Sequence, residues 1–420
     1  MHQFSKIKVD ETLIHGSVSP AFKEVEAEFK RNFADRGELG AACAVYLKGK
    51  KVVDLWGGYR DVETKSPWEK DTLIHVFSAT KGISALAIAL AHSRDYFDYD
   101  RKVSMYWPEF AENGKGNITI RELLAHQAGL CAIDEQLDID ILSDLDHLSK
   151  ILARQKPAWA PGEYHGYHCY SLGWYENELI RRTDSKQRTI GQFFSEEIAG
   201  PLDVEFYIRT PSDIPEKRIA NIVDYSPLKM LFHLNKLTLK MMISYFIPGS
   251  LAARTLGNPK VRNPGDIVRP PYREVEIPSY NGIGTVNSIA KLYGLFACES
   301  PVLGIDKEVF SNLKRPAIQP SKSRKDRVLQ IDTSYSLGFM KYSPDMHIGI
   351  SEECYGSPGY GGAIAFSDPS NQLGFAYAPL KMGYKPFNDP RAEALTAAVY
   401  KDLKLQGGLG YLNRGSNYEQ

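Results

Sequence analysis

The sequence predicts a mixed α/β fold of the α+β type, with an antiparallel sheet built from both chain ends, flanked by helices, and a mainly helical region inserted between them. Three observations predict it. Strand-like runs occupy Ala41–Leu47 and Val52–Trp56 near the start, and similar runs return at Tyr335–Lys341, Gly361–Phe366 and Leu373–Ala378. Between them, roughly 100–300, apolar residues recur at helical spacing and are separated by long loops. The whole chain, 1–420, is expected to form a single domain, with 1–75 and 300–420 as the sheet part and 76–299 as the helical part.

In chain order, residues 19–36 place Phe22, Val25, Phe29 and Phe33 on one helical face. The two strand-like runs that follow are joined by Lys48-Gly49-Lys50-Lys51, a hairpin turn. The apolar lead-in His75-Val76-Phe77 then meets Ser78-Ala79-Thr80-Lys81-Gly82 and the apolar helical stretch Ile83–His92. Helices are predicted over Ile120–Ala128, Leu145–Gln155, Ser171–Arg182, Thr189–Ala199 and Thr285–Ala297, and a last one over Pro390–Leu403. Pro- and Lys/Arg-rich stretches at 258–273 and 314–328 read as surface loops. Pro227–Arg254 is apolar, its charges being Lys229, Lys236, Lys240 and Arg254. It reads as a helical insertion packed on the body; an apolar wall or lid over a cleft is the second reading and a membrane-surface element the third.

Lys plus Arg and Asp plus Glu number 51 each, so no basic excess of the whole chain exists to attract nucleic acid or an anionic membrane. Five scattered cysteines form no C-x-x-C pair, and no H-E-x-x-H pattern occurs, so neither a zinc site nor a disulfide framework is expected. The amino terminus has no apolar signal region, and no run of 18 apolar residues is present. The expectation is a soluble, cytoplasmic protein without a transmembrane span, metal or organic cofactor, whose partner is a small-molecule ester, amide or peptide. Homo-oligomerisation stays open.

A serine hydroxyl needs a neighbouring base to become a nucleophile. In S-x-x-K, a serine opening a helix has the lysine one turn later on the same face. The sequence holds five such matches, beginning at Ser5, Ser78, Ser226, Ser288 and Ser311. Only Ser78 opens a long apolar helix after an apolar lead-in; the bland alternative is a helix N-cap. Three further segments accompany it in order: Ile118-Thr119-Ile120-Arg121-Glu122-Leu123-Leu124-Ala125-His126-Gln127-Ala128-Gly129-Leu130, then Pro161-Gly162-Glu163 followed by Tyr167 through Trp174, and Gly356–Gly362 with Ala365-Phe366. Together these resemble the class C β-lactamase and carboxylesterase branch of the serine β-lactamase superfamily, and the fold this implies is β-lactamase/transpeptidase-like.

The resemblance implies roles. Ser78 would be acylated, and Lys81 with Tyr167 would remove and return its proton, which requires the tyrosine pKa to fall. The backbone N–H groups of Ser78 and Tyr360 would form the oxyanion hole, and Gly359 would let the strand approach substrate. Tyr167 is preferred to Tyr164 and Tyr170 because it stands six residues before Gly173. Two positions depart from the pattern. Cys169 replaces the usual Asn, and Ser357 replaces the usual Lys or His of the edge strand, a substrate-facing position. Losing that cation disfavours substrates that carry a carboxylate. His165 and His168 are read as polar groups flanking the tyrosine, a replacement base being the alternative, and Cys169 as a small buried hydrophobe beside the site rather than a thiol nucleophile. The implied function is hydrolysis of an ester or amide through an acyl-serine. A true β-lactamase or D-alanyl peptidase, and a catalytically feeble scaffold or binding protein, are the two alternatives.

Overall fold

A computed structural model describes residues 8–225, 240 and 243–405. The S-x-x-K matches at Ser5 and Ser226, and 227–239 with 241–242 of the apolar stretch, lie outside the described residues. The amino-terminal part supplies strands β1 (Ile14–Val18), β2 (Gly40–Leu47), β3 (Lys50–Asp61), β4 (Ser66–Pro67) and β5 (Ile74–His75). The middle supplies β6 (Phe206–Tyr207) and β7 (Ile283–Gly284). The carboxy-terminal part supplies β8 (Met340–Lys341), β9 (Tyr355–Pro358), β10 (Ile364–Asp368) and β11 (Leu373–Pro379).

The large sheet has the order β1-β3-β2-β11-β10-β9-β8, with β4 paired to β3, and all its pairs are antiparallel. The seam between the two chain ends is β2 against β11, in register from Ala41↔Pro379 to Leu47↔Leu373. Both strands are almost wholly buried, because helices cover one face and the body of the protein the other. The sheet built from both ends is therefore the observed architecture.

The helices that position the site are α1 (Lys23–Asp35), α2 (Thr80–Ser93), α3 (Ile120–Leu124), α4 (Leu145–Arg154), α5 (Ser171–Thr183), α6 (Ile190–Phe194), α7 (Val286–Ala297) and α8 (Pro390–Leu405). Helix α7 packs on β2, β10 and β11, while α1 packs on α8. Asp402 of α8 accepts the Glu24 and Val25 N–H groups, so one terminal helix caps the other. The two ends are also tied by a buried ion pair, Arg391 Nη1 to Glu38 Oε2 at 2.9 Å, on which the Tyr377 hydroxyl also donates.

Several elements differ from their sequence pattern. The Tyr335–Lys341 strand is a tight turn feeding a two-residue strand, because Gly338 takes φ +82 and Ser336 N–H closes onto Phe339 O. The Ile120 helix stops at Leu124, since His126 and Gly129 take positive φ. Gly361–Gly362 form a turn rather than the start of β10, and 195–199 continue α6 as a π turn. The 314–328 loop is not wholly superficial, for Asp326 and Val328 are fully buried.

Candidate active site

Segment 74–82 places the serine. After β5, Phe77 adopts φ +51, and residues 77–79 form a 3-10 turn that runs into α2. A bulky residue in the left-handed region costs energy, and it holds here because Phe77 is packed edge-on against Tyr280 and Tyr360. Thr80 Oγ1 donates to Phe77 O at 2.5 Å and accepts from Gly282 N at 2.9 Å, which fixes the turn to β7. Ser78 is only 6% exposed.

One helical turn on, Lys81 is fully buried, and its Nζ has three neighbours: Cys169 O at 2.6 Å, Ser279 O at 2.9 Å and Ser78 Oγ at 3.5 Å. Burial lowers the Lys81 pKa to about 8, against a smaller opposing pull from Cys169 and Glu176. Two of the neighbours are carbonyls, which only accept. When the amine is neutral, its two N–H bonds therefore go to Cys169 O and Ser279 O, and its lone pair is left facing the Ser78 hydroxyl.

Tyr167 lies under the same amine, with Lys81 Nζ 4.6 Å from its ring centre, and its hydroxyl engages Ser78. Burial nevertheless drives the Tyr167 pKa well above 10, outweighing the Ser78 hydrogen bond. The fall expected from an adjacent ammonium is absent, because desolvation dominates and the resting residue is a neutral phenol. Its competitors lie elsewhere: Tyr164 sits beneath Arg327, and Tyr170 packs on Tyr280 and Trp174. The backbone of Tyr167 is held by Asp326, a fully buried carboxylate that also accepts from Val328 N, Leu329 N and the Tyr335 hydroxyl.

The two departures from the motif resolve geometrically. Cys169 acts through its backbone carbonyl on Lys81, while its thiol is buried and pushed up to about 11. Ser357 is fully buried on β9, and its hydroxyl donates to Ser78 O at 2.6 Å. It is tied to the backbone of Ser78 itself. The only lysine of β8 and β9, Lys341, is buried and gives its Nζ to Leu313 O and Cys354 O. A Cβ at Gly359 would sit 2.1 Å from Val76 O, so the residue after β9 abuts the segment that carries Ser78. Tyr360 follows on the 3-10 turn and contacts Phe77.

The histidines are structural partners. His168 Nε2 accepts from Leu130 N at 3.1 Å, so its proton is on Nδ1, which donates to Gly166 O at 2.6 Å. With its one lone pair taken and its pKa lowered to about 3 by burial, His168 has no free base. His165 is lowered to about 4 and bonds Thr333, while His126 Nδ1 accepts the His168 N–H. Among the described residues no group of three or more His, Cys, Asp or Glu side chains is arranged to hold a metal ion.

Ser279 is a contact of Lys81 that motif reading missed. Its carbonyl takes Lys81, its hydroxyl donates to Tyr170 O, and the neighbouring Pro278 carbonyl accepts from Ser84 Oγ. The available signal was Gly173: a Cβ there would lie 2.4 Å from Ser279 N, so the motif glycine lets α5 approach the 278–279 segment. A carbonyl carries no residue-type signature, so nothing else marked it.

Comparison with known proteins places this geometry in context. The family profile described as Beta-lactamase matches residues 25–399. The esterase/beta-lactamase LipL of Mycobacterium tuberculosis is 32% identical over 380 residues, covering 86% of this chain and 82% of that protein. A crystal structure of a family VIII carboxylesterase superposes with a TM-score of 0.81 at 31% identity, covering 93% of this chain and 99% of the other. A penicillin-binding protein homologue from Caulobacter crescentus has a TM-score of 0.78 at 32% identity, with 93% and 99% covered.

Proposed function

This chain belongs to the Beta-lactamase family and is a serine hydrolase, and from that premise we propose that it cleaves uncharged carboxylic esters or amides by acylating Ser78. The observation that carries the reading is the Lys81 amine, pinned by two carbonyls so that its neutral form offers a lone pair to Ser78 Oγ. In the reaction Ser78 Oγ attacks the substrate carbonyl and its proton passes to Lys81. The oxyanion is received by the Ser78 and Tyr360 N–H groups. Tyr167, a neutral phenol in contact with Ser78, donates a proton to the departing alcohol or amine and is reprotonated from Lys81. Water then cleaves the acyl-serine by the reverse relay. The chain acts as one catalytic domain in this account, supported by a hydrophobic core running from Phe22 to Leu403.

The preference for an uncharged substrate rests on the edge strand. Ser357 spends its hydroxyl on Ser78 O, and Lys341 is buried away on carbonyls, so β8 and β9 supply no cation for a substrate carboxylate. The test compares a p-nitrophenyl ester with a chromogenic cephalosporin, using the wild type and Ser78→Ala. Preferred turnover of the ester, lost in the variant, supports the proposal. A higher kcat/KM for the cephalosporin overturns the substrate assignment, and equal ester turnover by Ser78→Ala overturns the nucleophile.

A further inference from the structure

The segment next to the site carries apolar side chains that the fold does not bury. Ile243, Tyr245, Phe246 and Ile247 are 53%, 40%, 69% and 52% exposed. Four apolar residues within five positions at such exposure, Tyr245 and Phe246 in ring contact, form one patch, unlike the singly scattered hydrophobes of an ordinary surface. The patch lies beside the site, since Ser244 lines one cavity with Tyr164 and with Asp326, the carboxylate that holds Tyr167.

Exposed cations lie beside it, and the carboxylate that shares their cavity, Asp326, is buried. Between Asp224 and Asp266 the sequence contains no carboxylate and six Lys or Arg. Across a cavity of about 430 Å³, Ser244 and Leu251 of this segment face Lys325 and Arg327. Arg324, Lys325 and Arg327 are exposed, and among the described residues none of them has an ion-pair partner. Apolar side chains that project beside exposed cations match a surface whose outer layer is anionic and whose interior is hydrocarbon. No helix among the described residues is long and apolar enough to cross a membrane, so this contact would be peripheral.

We propose that the face formed by Ile243–Ile247 and the Arg324–Arg327 loop docks the protein on an anionic lipid surface, with the mouth of the Ser78 cleft turned toward the lipid. Apolar side chains enter the acyl boundary while the cations meet the headgroups. The side chains assigned to the lipid, Ile243, Tyr245, Phe246, Ile247, Arg324, Lys325 and Arg327, are distinct from Ser78, Lys81, Tyr167 and the buried Asp326 that holds Tyr167, so the docking surface does not depend on the catalytic reading.

The test is co-sedimentation of the full chain with phosphatidylcholine vesicles, with and without phosphatidylserine. The wild type is expected to bind the phosphatidylserine vesicles and to release as salt rises. The Phe246→Asp/Ile247→Asp double variant is expected to bind more than about tenfold more weakly. Arg324→Ala and Lys325→Ala should each cost about fivefold. Unchanged fluorophosphonate labelling of each variant shows that it is folded. Absence of binding, binding that ignores phosphatidylserine, or wild-type binding by both sets of variants overturns the proposal. So does self-association abolished by Phe246→Asp without vesicle binding, which would assign the patch to a second copy of the chain.

Discussion

Replacing Lys81 tests the proton-transfer geometry through its pH dependence. Burial lowers the Lys81 pKa to about 8, and only the neutral amine offers a lone pair to Ser78. The neutral fraction is then about a tenth at pH 7 and about nine tenths at pH 9. Acylation of Ser78, followed as the rate of fluorophosphonate labelling, should rise about tenfold across that range and level off above it. Other groups touching the site titrate elsewhere: His165 and His168 are lowered to about 4 and about 3, and Tyr167 is raised well above 10. Two more buried lysines, Lys115 and Lys341, are also lowered to about 8, but their amines are bound to other carbonyls. Lys81→Ala should slow labelling by about 10²–10⁴-fold and remove the rise near pH 8, whereas Lys341→Met should keep it. A rise that persists in Lys81→Ala, or a flat wild-type profile, would refute the assignment of Lys81 as base.

Three further outcomes follow from single contacts. Ser357→Ala removes the 2.6 Å bond to Ser78 O, so it should cost about 0.5–1.5 kcal/mol in denaturant unfolding and slow labelling of Ser78. Gly359→Ala forces a Cβ to 2.1 Å from Val76 O and should destabilise by about 1–3 kcal/mol or more, with loss of ester turnover. Glu176→Leu should stabilise. Glu176 is fully buried with neither oxygen hydrogen-bonded, and burial raises its pKa well above 4.5. Above the unfolded value the unfolded chain binds fewer protons than the folded one, so wild-type stability falls as pH rises. The leucine variant should gain about 1–3 kcal/mol near neutrality and less at pH 5, measured by urea unfolding.

Much of this was legible in the sequence because it is written in contiguous residues. The β2–β3 hairpin, the β11 run and the apolar face of α1 follow from local periodicity. The Thr119–Glu122 capping box that starts α3 is formed by two side chains three residues apart. Ser78 and Lys81 sit one helical turn apart, so their meeting is a property of the helix alone. What could not be read arises from distant backbone. Strands β5, β6 and β7 have two residues each and exist only because 74–75, 206–207 and 283–284 are brought side by side. The Ser279 carbonyl and the turn of Ser357 toward Ser78 O depend on tertiary placement across 198 and 279 residues. The tyrosine pKa went the opposite way from expectation because the extent of burial around Tyr167 is set by neighbours on other elements, among them Asp326 and Tyr335.

The central claim, that Ser78 is acylated, is tested most directly by mass spectrometry of the protein quenched during turnover of a p-nitrophenyl ester. The account predicts an adduct of the acyl mass on the peptide carrying Ser78, absent in Ser78→Ala. An adduct on any other residue, or ester turnover that persists in Ser78→Ala, would contradict it.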